Sequence, residues 1–245
     1  VISSTIKKGE DEGASLVIIV LDTPGGLLSS TRSIVESLLN AQIPTAVYVA
    51  PNGARAASAG TFVTIAAHFA IMAPVTNIGA ATPVDERGKD LPSTLANKAT
   101  NDAAALMRSI AAERGRNAPK LEDSVMKGAS YTSEEAVELG IVDFIATDIN
   151  NVLQTLNGKR LVIDGHQIII NTTDVNIMEI NMNIVDSFLN ILSDPNIAYI
   201  LLSIGMLGII VEILNLGLII PGIIGATSLI LAFVSLNSLP VNWAG

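Results

Sequence analysis

From residue 197 to residue 236 the chain carries one charged side chain, Glu212, in a run dominated by Ile, Leu, Val, Ala and Gly. A helix needs about 20 apolar residues to cross the hydrocarbon of a bilayer, so this run is long enough for two crossings. The Pro221-Gly222 pair inside it predicts the turn, with helices near 197–217 and 222–239. A carboxylate in such a helix is costly, so Glu212 is expected to face protein or the interface rather than lipid. The competing reading is one apolar hairpin buried in a globular core. No Lys or Arg follows Arg160, so the rule that places positive flanks inside gives no orientation.

The remaining composition narrows the function. Charged residues make up 15% of the 245 residues, against about a quarter in soluble domains. A water-soluble part followed by a membrane part accounts for the deficit. A net charge of −9 argues against a nucleic-acid partner, which needs a basic face. With no cysteine there is no disulfide, thiolate metal site or cysteine nucleophile. Two histidines are too few for a His-rich metal site, so no metal is expected.

Before residue 158 the pattern alternates between strand and helix. The run Ser15-Leu-Val-Ile-Ile-Val-Leu21 is continuously apolar and of strand length, which marks a parallel strand buried on both faces. Pro44-Thr-Ala-Val-Tyr-Val-Ala50 and Phe69-Ala-Ile-Met-Ala73 repeat the pattern, and a further strand is expected over 141–146. Helices are predicted over 28–40, 54–67, 95–114, 121–127, 133–139 and 149–156. Thr132-Ser-Glu-Glu135 has the form of a reciprocal helix cap. The stretch 74–92, rich in Gly and Pro, reads as a loop. Such alternation predicts an α/β domain. From 158 to 180 the pattern becomes that of a β-hairpin turning at Asp164-Gly165, followed by an amphipathic helix over 185–192. The expected organisation is an α/β domain over 1–157, a hairpin-and-helix linker over 158–195 and a transmembrane segment over 196–245.

Two short motifs can carry chemistry. Asp22-Thr-Pro-Gly-Gly26 follows a buried strand, at the carboxyl end where α/β sheets place their sites. Its glycines permit a close backbone approach and free amides, although many such turns are only turns. Ser58, within Arg55-Ala-Ala-Ser-Ala-Gly60, stands where a helix begins. It fits either a helix cap or a nucleophile, with the Ala59 amide and the helix dipole stabilising negative charge. A serine nucleophile needs a base. His68 is too far along the same predicted helix and His166 lies in the hairpin, so both read as structural or exposed. Lys98, flanked by Leu95, Ala96 and Ala99, has the least polar sequence neighbours of any lysine in the chain. It fits either a surface lysine or, with burial lowering its proton affinity, a general base.

Taken in order, Leu21-Asp-Thr-Pro-Gly-Gly26, Ala56-Ala-Ser-Ala-Gly60, Met72-Ala-Pro74 with Asn77-Ile-Gly-Ala80, Lys98 with Glu113-Arg-Gly-Arg-Asn117, Ser133-Glu-Glu-Ala136 and Ser193-Asp-Pro-Asn-Ile-Ala-Tyr199 form a distinctive set. Over nearly its whole length the chain resembles the NfeD family of membrane-bound serine proteases, partners of stomatin-like proteins. That family is related to signal peptide peptidase A and has a ClpP/crotonase-like fold. The resemblance implies a Ser-Lys dyad with Ser58 as nucleophile and Lys98 as general base. It implies an oxyanion hole from the backbone at Gly25, Gly26 and Ala59, and no cofactor. It further implies cleavage of hydrophobic peptide segments, including those of a stomatin-like partner, and a homo-oligomer in a prokaryotic cell membrane. The chain would be multi-pass, with its protease domain extracytoplasmic. Relatives begin with a signal peptide and one more strand, and they continue into further membrane helices and a small β-barrel. The chain is therefore expected to be a piece whose first strand lies at an open sheet edge. A non-catalytic scaffold for the stomatin-like partner is the first alternative. An acyl-CoA enzyme of the same fold class is the second.

Overall fold

The computed structural model of the chain describes residues 1–84, 93–173, 175–180, 188, 191–192, 195–215 and 219–238. The described chain divides into two units, Val1–Ile177 and Met178–Gly245.

In the first unit, α1 (Ile2–Asp11) leads into β1 (Val17–Leu21), α2 (Leu28–Leu39), β2 (Thr45–Val49), β3 (Arg55–Ala57), α3 (Ala59–Ala66), β4 (Phe69–Met72) and β5 (Asn77–Gly79). There follow α4 (Ser93–Glu113), α5 (Ala118–Met126), β6 (Ser130–Thr132), α6 (Ser133–Glu138), β7 (Phe144–Ile145), α7 (Ile149–Leu156), β8 (Arg160–Ile163) and β9 (His166–Ile169). The main sheet has the order β1-β2-β4-β7 and is parallel throughout. Register is set by Val17 opposite Thr45, Ala46 opposite Phe69 and Ile71 opposite Phe144. Every residue of β2 is buried, as its unbroken apolar sequence requires of a strand covered on both faces. Edge strand β1 instead leaves Val20 exposed.

A second sheet, β3-β5-β6, lies beyond the first. It corrects one expectation. Residues 54–57 were expected to open a helix, and Arg55–Ala57 is a strand. These residues are Ala-rich, but they have ladder partners on both sides. Arg55 to Ala57 pair with Asn77 to Gly79 in parallel, and Thr23 bridges Ala56. Intrinsic helix preference spans under about 1 kcal/mol per residue, which several backbone hydrogen bonds outweigh. The three-residue strands β5 and β6 went unpredicted because a run that short has no measurable period. Strand β7 spans only part of the predicted 141–146.

Helix α3, apolar apart from Thr61 and Thr64, is buried from Gly60 to Ala66, because α2, α4, β2 and β4 all pack on it. The predicted cap at Thr132 is present in both directions, with Glu135 N donating to Thr132 Oγ1 and Thr132 N donating to Glu135. The β8–β9 hairpin turns at Asp164 and Gly165, with φ of 47° and 77°, as its sequence predicts. It packs through Leu161 and Ile170 against Tyr48 and Ile71, so it belongs to the first unit. The amphipathic helix expected over 185–192 lies mostly outside the described residues.

In the second unit, α8 (Pro195–Leu214) and α9 (Ile219–Ser238) are apolar and pack against each other. Windows of 19 and 18 residues within them are long and apolar enough to cross a membrane. The turn is not at Pro221-Gly222 as expected. Pro221 is the third residue of α9, where a missing N–H costs nothing because first-turn amides have no intrahelical acceptor. Close approach is set by glycines: a Cβ on Gly208 would lie 2.6 Å from Pro221 O and 2.8 Å from the Gly225 Cα. Glu212 turns inward to this seam, its carboxylate lying against the bare Cα of Gly222.

Candidate active site

The loop after β1, helix α3 and strand β5 meet at Ser58. This residue has φ 51° and ψ −115° and stands at the N-cap of α3. Positive φ in a residue with a Cβ is uncommon and stores strain, so surrounding bonds must hold it. Ser58 N donates to Gly79 O (2.9 Å), and Thr61 N donates to Ser58 O (3.0 Å). Thr61 ties the same point from within: its buried hydroxyl lies 2.9 Å from both Ala56 O and Gly79 O and accepts from Gly79 N at 3.1 Å. Ser58 itself is half-buried, and its hydroxyl has no hydrogen-bond partner among the described residues. Its side chain is not used as a cap.

The Gly25-Gly26 turn covers the serine. A Cβ on Gly25 would sit 3.0 Å from Ser58 Cβ and 3.3 Å from Oγ, and one on Gly26 would lie 3.7 Å from Ala59 Cβ. Gly25 has φ 142°, a conformation that L side chains rarely adopt. Thr23 locks it by donating from Oγ1 to Gly25 O (2.9 Å) and accepting from Gly25 N (3.1 Å). The Gly25 amide therefore already has an acceptor. The Gly26 amide has none among the described residues. Ala59 N, first in α3, has no intrahelical acceptor and lies at the positive end of the helix dipole. Asp22 is committed to the turn, with Oδ1 accepting from Arg55 N at 3.0 Å.

Lys98 lies on the second turn of α4 and is exposed. The apolar burial expected from its sequence neighbours is not present, because Leu95 is itself 57% exposed. Ser58, Gly25, Gly26 and Ala59 are brought together, whereas Lys98 makes no hydrogen bond or ion pair with another described residue. His68 is structural, as expected. Its Nδ1 accepts from Thr45 N (3.2 Å) and lies 2.9 Å from Thr45 Oγ1. Burial, then the nearby Arg114 and Arg116, push its pKa down to about 4. His166 is exposed on β9. Among the described residues no cluster of three or more His, Asp or Glu is placed to hold a metal ion. Sequence reasoning missed Thr23 and Thr61, the two hydroxyls that fix the site backbone. The two threonines, Thr61 and Thr64, in the otherwise apolar α3 were the available signal.

A strained serine at the start of a buried helix, under a glycine turn at the carboxyl edge of a parallel sheet, defines a ClpP-like α/β domain, here joined to an apolar helical pair. The model of the NfeD1b N-terminal domain matches residues 1–164 and that of the NfeD integral membrane domain residues 196–245. The chain belongs to the NfeD family. It is 36% identical over 241 residues to the membrane-bound protease PH1510 of Pyrococcus horikoshii, covering 96% of this chain and 54% of that protein. Against the membrane protein NfeD1b of Bacillus subtilis it is 26% identical, covering 95% of this chain and 51% of that protein. The chain thus spans about half the length of both relatives.

Solved structures of the 1510-N membrane-bound stomatin-specific protease share the fold. One, a lysine-to-alanine variant in complex with a substrate peptide, has a TM-score of 0.70 at 34% identity, covering 77% of this chain and 87% of its own. A serine-to-alanine variant has a TM-score of 0.67 at 34% identity, covering 74% and 89%.

Proposed function

We propose that the chain is a membrane-anchored serine endopeptidase in which Ser58 is the nucleophile and Lys98 the general base. The observation that carries this reading is the strained Ser58, whose hydroxyl has no partner among the described residues and faces a glycine turn with an amide that likewise has none among them. In the reaction, Ser58 Oγ attacks the scissile carbonyl carbon while Lys98 Nζ takes the hydroxyl proton. The oxyanion that forms is met by the Gly26 and Ala59 amides, each such donor being worth roughly 3–4 kcal/mol in comparable sites. Gly25 supplies the shape. Collapse expels the amine, which receives the proton from Lys98, and water then hydrolyses the acyl-enzyme with Lys98 again as base. No metal or cofactor takes part.

As general base, Lys98 acts in its neutral amine form. A bound substrate lying across the exposed turn of α4 removes water from the ammonium and so favours the neutral amine. The exposed apolar side chains beside the site fit a hydrophobic peptide: Leu27 and Leu28 follow the glycine turn, and Leu95 lies one turn before Lys98. The relatives named as stomatin-specific proteases support a stomatin-like partner as the substrate. Homo-oligomers, a multi-pass topology and an extracytoplasmic protease domain complete the reading. A non-catalytic scaffold would have no use for Ser58 in a strained conformation. Ser58→Ala and Lys98→Ala are each expected to abolish cleavage of an apolar peptide while circular dichroism stays native. Cleavage retained by Ser58→Ala overturns the reading.

A further inference from the structure

Resting on the dyad reading, we infer that Arg32 and Asp102 form a clasp that positions Lys98. Helix α3, which begins at the nucleophile, packs against both α2 and α4. Two polar connections cross between these flanking helices and fix how they run. At one end Arg114 donates to Leu38 O (2.9 Å) and Ala66 O (2.8 Å), the C-terminal ends of α2 and α3. Nearer the other end the Arg32 guanidinium is ion-paired with the Asp102 carboxylate. Helices α2 and α4 therefore run in the same direction. One turn toward their N-termini from this pair lie Leu28, next to the glycine turn, and Lys98.

Asp102 is four residues after Lys98, so both project from one face of α4, and that face is the one Arg32 reaches. The clasp has two effects. It holds the N-terminal half of α4 beside α2, where a displacement of about 1 Å at a reacting group can cost up to 100-fold in rate. It also occupies a carboxylate that would otherwise pair with the Lys98 ammonium and keep the proton on it. The other charged groups on the elements meeting here are Arg108 and Glu113 on α4, Glu36 on α2, Lys120, Glu122 and Asp123 on α5, which packs on α4, and Asp22 with Arg55 at the site loops, while α3 contributes none. The charges of 85–92 lie outside the described residues. Arg32 and Asp102 are positioning residues and touch no reacting atom.

The test uses the full chain in detergent micelles, with cleavage of an apolar peptide and fluorophosphonate labelling of Ser58 followed across pH 5 to 9. Arg32→Ala is expected to lower kcat about tenfold with KM little changed. It should also move the acid limb of both profiles up by about 0.2–0.4 pH unit, the size of an i,i+4 ion pair. Asp102→Asn opens the clasp without freeing a carboxylate, so kcat falls and the limb stays. The charge exchange, Arg32→Asp with Asp102→Arg, should restore kcat to within about threefold. Native kcat and an unmoved limb in Arg32→Ala overturn the clasp, as does an exchange no better than the single variants with its circular dichroism intact. If Lys98→Ala is inactive while Arg32→Ala is unchanged, only the clasp falls. If Lys98→Ala keeps full activity, the dyad fails and takes the clasp with it.

Discussion

Thr61→Val tests whether the strained serine is held by one buried hydroxyl. Valine keeps the branched shape and removes only the hydroxyl's polarity. Thr61 is fully buried, and its Oγ1 lies 2.9 Å from two carbonyls and 3.1 Å from Gly79 N. A hydroxyl has one proton, so it satisfies one carbonyl at a time, and its loss removes one donated bond of about 1 kcal/mol. The buried Gly79 amide loses this acceptor as well, which adds up to about 1–3 kcal/mol. Together the loss is about 2–4 kcal/mol, roughly a 5–12 °C fall in midpoint for a unit of this size. Gly79 O is also the acceptor for Ser58 N, so fluorophosphonate labelling of Ser58 should slow along with the stability loss. Thr64→Val is the control. Thr64 is equally buried, but its hydroxyl only donates back to Gly60 O at 2.7 Å and orphans no amide, so about 1 kcal/mol or less is expected. Thermal and urea unfolding of both variants decide the matter. A Thr61→Val cost no larger than that of Thr64→Val refutes the argument.

Gly25→Ala places a methyl 3.0 Å from Ser58 Cβ at φ 142°; cleavage should fall by at least about 100-fold with the far-UV spectrum unchanged, and near-native kcat would count against the turn as a site wall. His68 holds its proton far less readily folded than unfolded, with a pKa of about 4 against the ordinary 6.5. The unfolded chain therefore binds more protons between those values, and stability drops as pH falls from about 6.5 to 4. Discounted for partial exposure, the loss is about 1–2 kcal/mol. His68→Gln should flatten that part of the stability-pH curve, and an unchanged slope assigns it to other groups. Gly208→Val drives a side chain into the Pro221 carbonyl 2.6 Å away, so the α8–α9 pair should separate or repack. Disulfide trapping of engineered cysteines across the pair would read this as lost cross-linking.

What the sequence made visible depended on how far each element's surroundings extend. Strands β1, β2 and β4 were legible because a parallel strand buried on both faces must be apolar at every position, whatever lies next to it. Helix α7, the capped start of α6 and the Asp164-Gly165 turn were legible because caps and tight turns are decided within four residues. Residues 54–57 were not, since their strand form depends on partners at Thr23 and at 77–79. Lys98 was misjudged in burial because sequence neighbours on an exposed helix turn are not spatial neighbours. The turn placed at Pro221-Gly222 followed a sound rule about proline inside helices and missed that the first turn is exempt.

The small residues around Ser58 share a single cause. Three segments converge within the reach of one methyl group: the turn after β1, the end of β3 and the start of α3. A Cβ on Gly60 would lie 2.6 Å from Thr23 Cγ2 and 3.5 Å from Ala56 Cβ, just as one on Gly25 would press on Ser58. Larger side chains at 56, 59 or 60 would push the turn after β1 off the start of α3. The same Ala and Gly residues that make this convergence possible raise helix propensity on one side and flexibility on the other, so local preference carries no sign of the site. What fixes the backbone instead is a few hydroxyls, those of Thr23 and Thr61, whose bonds reach across the chain to Gly25 and Gly79. Close packing supplies the room and the threonines supply the constraint. That division explains why the motif is visible in the sequence while its backbone geometry is not.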